Sequence, residues 1–225
     1  MKRFLLILLS LALLCLCIAC GRSDESPTVN TTDSAQAEHE QSSEENENTE
    51  NFESEVQEPM EKNEQQILIA YFSHTGNTEV IAEEIQRLTG GELFKIEAAE
   101  PYPDSYDETV ERFRRERDEN ARPAIAEDVT DMDSYDIVFI GYPNWGDDMP
   151  HIVYTFLEQY DFSGKTIIPF CTNGGGGFGN SIANLTNTCP DSEIADGFEC
   201  SGRNVQNEKT EVYAWLNTLG IETAQ

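Results

Sequence analysis

Apolar runs alternate with amphipathic stretches along the last 160 or so residues of the chain. The first run, 67–72, is continuous and rich in β-favouring residues, which is typical of a strand buried on both faces of a parallel sheet. A polar turn over 73–78 follows, and Val80, Ile81, Ile85 and Leu88 then recur at helical spacing. The pattern therefore predicts a strand, a turn and a helix in direct succession.

The same alternation continues to the end of the chain. Further strands are predicted at 92–98, 135–142, 165–170 and 193–200, and further helices at 106–120, 150–160, 179–188 and 208–219. Pro169 falls in the fourth strand, where proline is tolerated only near a strand end or where its missing N–H is not needed. Five strands interleaved with helices predict a doubly wound parallel α/β sheet for residues 65–225.

The first 20 residues have the pattern of an export signal. Two basic residues precede a strongly apolar run over 4–19, and this run is short for a bilayer span of about 20 residues. Its end resembles the lipobox of bacterial lipoproteins, with Cys20 as the lipidated cysteine and Cys17 where leucine is usual. The resemblance implies a lipid anchor on the extracytoplasmic face of the cell membrane, with an uncleaved apolar anchor as the alternative.

The segment 21–64, between the signal and the predicted domain, differs from both in composition and charge. Residues 21–64 consist mainly of acidic, amide and hydroxyl residues, which cannot bury enough apolar surface to fold, so a disordered tether is expected. The chain carries minus 29 in all, and plus two on the signal and minus twelve on the tether leave minus 19 on 65–225. Such a charge argues against nucleic acid and against docking of the domain on anionic lipid.

The turn after the first strand has the composition of a phosphate-binding loop. Small or hydroxylated residues at a helix N-terminus present unpaired backbone N–H groups and the positive end of the helix dipole. The candidate residues are Ser73, His74, Thr75, Gly76, Asn77 and Thr78. The lysine of a triphosphate loop is missing, and Gly76 alone stands where a dinucleotide fingerprint would need three glycines. A terminal monophosphate fits best, and a simple Ser/Thr-rich helix cap is the alternative.

Two later loops are expected at the same edge, because ligands of doubly wound sheets lie beyond the carboxyl ends of the strands. The candidate residues in them are Pro143, Asn144, Trp145, Gly146 and Asp147 after the third strand, and Cys171, Thr172, Asn173, Gly174 and Gly175 after the fourth. Four consecutive glycines, 174–177, carry a high conformational entropy cost. They favour a backbone that closely approaches a flat ligand, with a flexible surface loop as the alternative.

Taken together, the three loops of 66–221 resemble those of flavodoxins. The resemblance implies a five-stranded sheet of order 2-1-3-4-5 with helices on both faces and flavin mononucleotide (FMN) as cofactor. Trp145 would pack on the flavin ring, and the backbone of 144–147 and 172–175 would reach its polar edges. Flavodoxins usually cover the outer ring face with a tyrosine of the later loop, whereas this loop offers glycines and then Phe178, so an open ring face is expected.

The resemblance also implies a function. A monomeric electron carrier is expected, and its partner would be a redox protein or a small electron acceptor. An FMN-dependent reductase of quinones or similar acceptors is the first alternative, and a binding module without redox turnover is the second.

Other chemistry finds less support in the sequence. His39, His74 and His151 form no pair with metal-ligand spacing, so no metal site is expected. Cys171 and Cys200 would lie near the same ends of neighbouring strands, and outside the cytosol a disulfide is allowed, so the sequence leaves open whether these two cysteines pair.

Overall fold

The computed structural model describes residues 65–224. The expected signal, Cys20 and the acidic tether lie outside these residues. No helix in the described part of the chain is long and apolar enough to cross a membrane.

One parallel sheet with helices on both faces forms the domain, and its strand order is β2-β1-β3-β4-β5, with β6 also pairing with β4. The strands are β1 (Ile67–Tyr71), β2 (Glu92–Lys95), β3 (Ile137–Pro143), β4 (Thr166–Asn173), β5 (Glu193–Ile194) and β6 (Phe198–Ser201). The helices are α1 (Asn77–Thr89), α2 (Tyr106–Asp118), α3 (His151–Gln159), α4 (Ser181–Thr188) and α5 (Lys209–Thr218). The doubly wound fold and the order 2-1-3-4-5 are confirmed.

Each face of the sheet has its own hydrophobic core. Alternate residues of β3 point to opposite faces, so Ile140 packs with α3 and α4, whereas Phe139 packs with α1 and α5. Because both faces are covered, the central strands β1, β3 and β4 are apolar almost throughout.

The predicted fifth strand is not continuous. It is split into β5 and β6, and residues 195–197 separate the two segments. The Ala195 N–H donates to the Ile167 carbonyl at 3.0 Å, so two residues further along β4 the nitrogen of Pro169 faces the same side. Proline offers no N–H there, and the break falls where that donor would be needed. A Cβ on Gly197 would come within 2.8 Å of the Pro169 carbonyl oxygen, so the backbone at Gly197 lies close to β4.

The second strand is shorter than predicted. β2 ends at Lys95, and Ala98 instead forms an isolated antiparallel bridge with Ile125. The apolar and polar alternation over 92–98 therefore continues past the end of the sheet.

Helix α2 is fastened to the preceding loop through a polar buried face. The Arg112 Nε donates to Glu116 at 2.7 Å, and its Nη1 donates to the carbonyls of Glu100 and Pro101 at 2.8 and 2.9 Å. The guanidinium lies 3.9 Å from the centroid of Tyr102, whose hydroxyl donates to Glu116 at 2.8 Å. Burial and the Glu116 carboxylate together raise the pKa of Tyr102 well above its usual value, so this hydroxyl remains a donor.

We expect the Arg112→Ala change to destabilise the domain by about 3–5 kcal/mol, because it leaves the Glu116 carboxylate buried without its partner. The matched control is Arg117→Ala on the same helix, which breaks the exposed pair with Asp118 and should cost less than about 1 kcal/mol. Urea unfolding midpoints measure both. Equal losses in the two variants would show that the buried network does not hold α2 in place.

Candidate functional site

The loop between β1 and α1 is shaped by one glycine. The Phe72 N–H donates to the Gly141 carbonyl at 2.9 Å, after which the chain leaves the sheet and enters α1 at Asn77. Gly76 caps the helix with φ 83°, a left-handed conformation, and nothing lies within 4 Å of the Cβ position. Backbone conformation, rather than space, is therefore the reason for glycine here.

This loop presents a row of free donors. Within residues 65–224, no group accepts a hydrogen bond from the backbone N–H groups of 74–78. They lie at the N-terminus of the 13-residue helix α1, where the helix dipole adds positive potential. The arrangement matches an anion site of the kind that binds phosphate.

Side chains of the loop have more varied roles than the sequence indicates. The Ser73 hydroxyl accepts the Glu79 N–H at 3.3 Å. The hydroxyls of Thr78 and Thr172 are hydrogen-bonded at 2.9 Å, both buried, and they tie α1 to β4. Thr75 is the exposed hydroxyl of the loop, and the Asn77 amide donates to it at 3.3 Å. His74 turns toward α2, with its Nε2 3.4 Å from the Thr109 hydroxyl.

A cavity of about 470 Å³ lies beside this loop. Its walls come from the loop over 73–78, which we call the phosphate-type loop, from the segment after β3 and from one stripe of residues on α2. The lining residues are Ser73, His74, Thr75, Thr78, Tyr106, Thr109, Val110, Phe113, Arg114, Arg117, Pro143, Asn144, Trp145 and Gly146. The volume lies within the range of small-molecule and cofactor sites.

Trp145 forms the inner wall of the cavity among four other rings. Its centroid lies 5.4 Å from Phe72, 5.5 Å from Tyr102, 5.9 Å from Phe113 and 6.0 Å from His74, all in edge contact. The following backbone turns sharply, with φ 64° at Gly146 and 72° at Asp147. A Cβ on Gly146 would lie 2.6 Å from the Phe113 ring, so glycine allows α2 to approach.

The α2 wall is the part of the site that sequence reasoning missed. Its members stand at i, i+3, i+4, i+7, i+8 and i+11, namely Tyr106, Thr109, Val110, Phe113, Arg114 and Arg117. That helical stripe is the signal that could have identified them. It is hidden because the buried face of α2 is itself polar, through Thr109, Arg112 and Glu116, so the helix reads as uniformly hydrophilic. Tyr106 is 80% exposed.

The glycine-rich loop after β4 lies at the same edge of the sheet but does not line this cavity. Cys171 and Thr172 are buried, and the Asn173 side chain accepts the Gly175 N–H at 2.7 Å and donates to Glu199 at 2.6 Å. Gly174 and Gly175 are exposed. The structure therefore brings residues 73–78 together with 143–146, while 171–175 support them from one side.

Hydrogen bonds join the two later loops directly. The Asn144 N–H donates to the Thr172 carbonyl and its side-chain amide to the Gly177 carbonyl, both at 2.8 Å. The Asn180 N–H donates to the Asp147 carbonyl at 2.8 Å. Asp147 thus stabilises the loop after β4 through this hydrogen bond, and it does not line the cavity.

The three cysteines of the described part are free thiols, so the pairing of Cys171 with Cys200 that the sequence leaves open is not made. The register pairs Cys200 with Thr172, which places Cys171 and Cys200 on opposite faces of the sheet, in different cores. Burial raises the pKa of each of these two thiols to about 12, so neither offers a thiolate nucleophile.

Fold and site together define a doubly wound α/β domain with a phosphate-type loop after its first strand and an aromatic cavity beside it. A family model for flavodoxin matches residues 66–219. The chain belongs to the flavodoxin family. No curated protein matches the sequence significantly.

Solved structures share this fold. A proposed flavoprotein from Bacteroides eggerthii is 36% identical, with a TM-score of 0.62 over 70% of this chain and 99% of that one. Another from Bacteroides uniformis is 29% identical, with a TM-score of 0.60 over 66% and 98%. A flavoprotein of Lactobacillus acidophilus, solved in complex with FMN, is 21% identical, with a TM-score of 0.53 over 64% and 97%, a likeness in fold alone.

Proposed function

We propose that the domain binds FMN and transfers electrons through it. The observation that carries this proposal is the row of free N–H groups at 74–78 beside a cavity walled by Trp145. A terminal monophosphate suits neutral backbone donors at a helix N-terminus, and a planar ring suits the aromatic wall. The family membership and the FMN complex of the Lactobacillus acidophilus protein support the choice of FMN.

The residues present fit the parts of the cofactor. Backbone N–H groups of 74–78 and the Thr75 hydroxyl would hold the phosphate, and Trp145 offers apolar surface for the ring. When bound, FMN supplies the one- and two-electron chemistry, and the protein sets its surroundings. The Thr78–Thr172 hydrogen bond keeps the loop fixed against β4, so the donors are organised before the phosphate arrives.

An enzyme is the second candidate, and the exposed side of the cavity favours it. Tyr106 and Arg114 stand at its rim and are exposed, so a small acceptor can approach from the α2 side. Sustained reduction of quinones by the purified protein, with a fixed electron donor, would identify a reductase. A single stoichiometric transfer would identify a carrier.

Tethering is a separate proposal, which rests on the lipobox-like sequence ending in Cys20. Lipidation there would fix the chain to the outer face of the membrane. The acidic segment 21–64 would hold the domain roughly 35 Å away if it behaves as a flexible coil.

We expect the Trp145→Ala change to weaken FMN binding by about 1–3 kcal/mol, the range known for base–aromatic stacking. The matched control is Trp215→Ala, since Trp215 packs on Phe139 and Phe198 in the other core. Quenching of FMN fluorescence on titration measures both affinities, after far-UV circular dichroism has shown each variant folded. Unchanged FMN affinity in Trp145→Ala would remove Trp145 from the flavin site.

We expect the Cys20→Ala change to abolish lipid modification and processing at that position. Mass spectrometry of the membrane-extracted protein measures the mass of its N-terminal peptide, and Cys17→Ala serves as the control that keeps the modified cysteine. An unmodified N-terminus elsewhere in the wild type would contradict the lipid anchor.

A further inference from the structure

The cavity differs in charge from the domain that contains it. Residues 65–225 carry net minus 19, yet none of the fourteen residues that line the cavity is a carboxylate and two are arginines, Arg114 and Arg117. Acidic residues of α2 such as Glu108 and Glu111 lie outside the lining. A cavity with such a lining concentrates anions against the field of the whole molecule.

The backbone of each of the two arginines lies further along α2 than Thr109, the residue that contacts the phosphate-type loop. Thr109 of α2 contacts His74 of that loop, at 3.4 Å. An α-helix rises about 1.5 Å per residue, so Arg114 and Arg117 stand roughly 8 and 12 Å further along α2. A phosphate on the N–H groups of 74–78 therefore leaves these guanidinium groups for a second anion.

Both guanidinium groups are available. Arg114 makes no hydrogen bond or ion pair with any residue of 65–224. Arg117 pairs with Asp118 at 2.8 Å, with the two side chains 51% and 65% exposed, and solvent screens an exposed pair of this kind so that it contributes little. The anionic group of a ligand can therefore replace Asp118 as the partner of Arg117 with little loss of free energy.

The surroundings of the arginines select a flat ligand. The Arg117 guanidinium lies 5.7 Å from the centroid of Phe113, and Val110 lines the same wall. An apolar wall beside a planar guanidinium fork suits an aromatic ring that carries a carboxylate or sulfonate.

Arg117 also lines a second, polar depression of about 370 Å³. Asp148 is the carboxylate of that depression, but its oxygens already accept hydrogen bonds from the Tyr154 hydroxyl, the Asn184 amide and the Met149 N–H. These donors are neutral, and within residues 65–224 no ion pair joins Asp148 to Arg117, whose partner is Asp118. Polar substituents of a ligand held at Arg117 find amide and hydroxyl partners there.

We propose that Arg114 and Arg117 bind the anionic group of a small planar electron acceptor, a quinone that carries a carboxylate or sulfonate. This inference rests on the proposed FMN-dependent electron transfer. Reduction of the quinone takes up two electrons and two protons, for which reduced FMN is the donor, and the product leaves as the hydroquinone. The arginines bind and orient the acceptor and take no part in the electron transfer.

Direct binding tests the proposal without turnover. The FMN-loaded, oxidised full chain is dialysed to equilibrium against 1,4-naphthoquinone-2-sulfonate or, as the neutral probe, 1,4-naphthoquinone. We expect Arg114→Gln and Arg117→Gln each to weaken sulfonate binding about fivefold, the upper range for an exposed charge pair, and to leave neutral quinone binding unchanged. Arg115→Gln removes the same charge from the neighbouring position outside the cavity and should change neither. Added salt should weaken the sulfonate alone.

Three results would overturn the proposal. Sulfonate binding that is equal in wild type and both variants shows that the arginines bind no acceptor. Equal loss of both quinones shows that they act through the shape of the cavity. Loss of FMN absorbance from the dialysed variants shows that they bind the FMN phosphate instead.

A failure of the proposed function gives another result. If the wild type retains no FMN absorbance after dialysis, the domain does not bind FMN. The same dialysis on the flavin-free chain then still decides whether Arg114 and Arg117 bind the sulfonate.

Discussion

The site depends on five backbone N–H groups that the described part of the chain leaves without acceptors. Residues 74–78 come after the chain has left the sheet at Phe72, so these N–H groups have no strand to pair with. Gly76 accepts the left-handed conformation that starts α1, and the Thr78–Thr172 hydrogen bond holds the turn against β4. Free donors held at a helix N-terminus are costly unless water or an anion binds them. A phosphate resolves that constraint.

Helix α2 converts this anion site into a cavity. Its buried face is polar, and the Arg112–Glu116 pair with Tyr102 fixes it to the loop before it. Its other face then stands beside Trp145, close enough that only glycine fits at 146. The fold uses a buried ion pair to position a cavity wall, and stability and binding are therefore linked through one helix.

The strands and the phosphate-type loop could be predicted because each depends on local pattern. The run of β1 and the helical spacing of α1 follow from burial on both faces, and the sheet order follows from the resemblance that the three loops carry.

The α2 wall could not be predicted in this way, because its buried face contains Arg112 and Glu116 and the stripe from Tyr106 to Arg117 mixes aromatic and charged residues. The break between β5 and β6 depends on the pairing of Pro169 with a neighbouring strand, and the separation of Cys171 from Cys200 depends on register. Both are tertiary facts that a one-residue shift would change.

Amide NMR observes the N–H groups of 74–78 themselves and therefore shows whether they bind the phosphate. The ¹⁵N-labelled protein is titrated with FMN and, in parallel, with riboflavin, which lacks the phosphate. We expect FMN to move the amide signals of 74–78 strongly and riboflavin to leave them nearly unchanged while still shifting the Trp145 indole signal. If FMN binds and the signals of 74–78 stay where they were, the phosphate lies elsewhere and the assignment of the loop is contradicted.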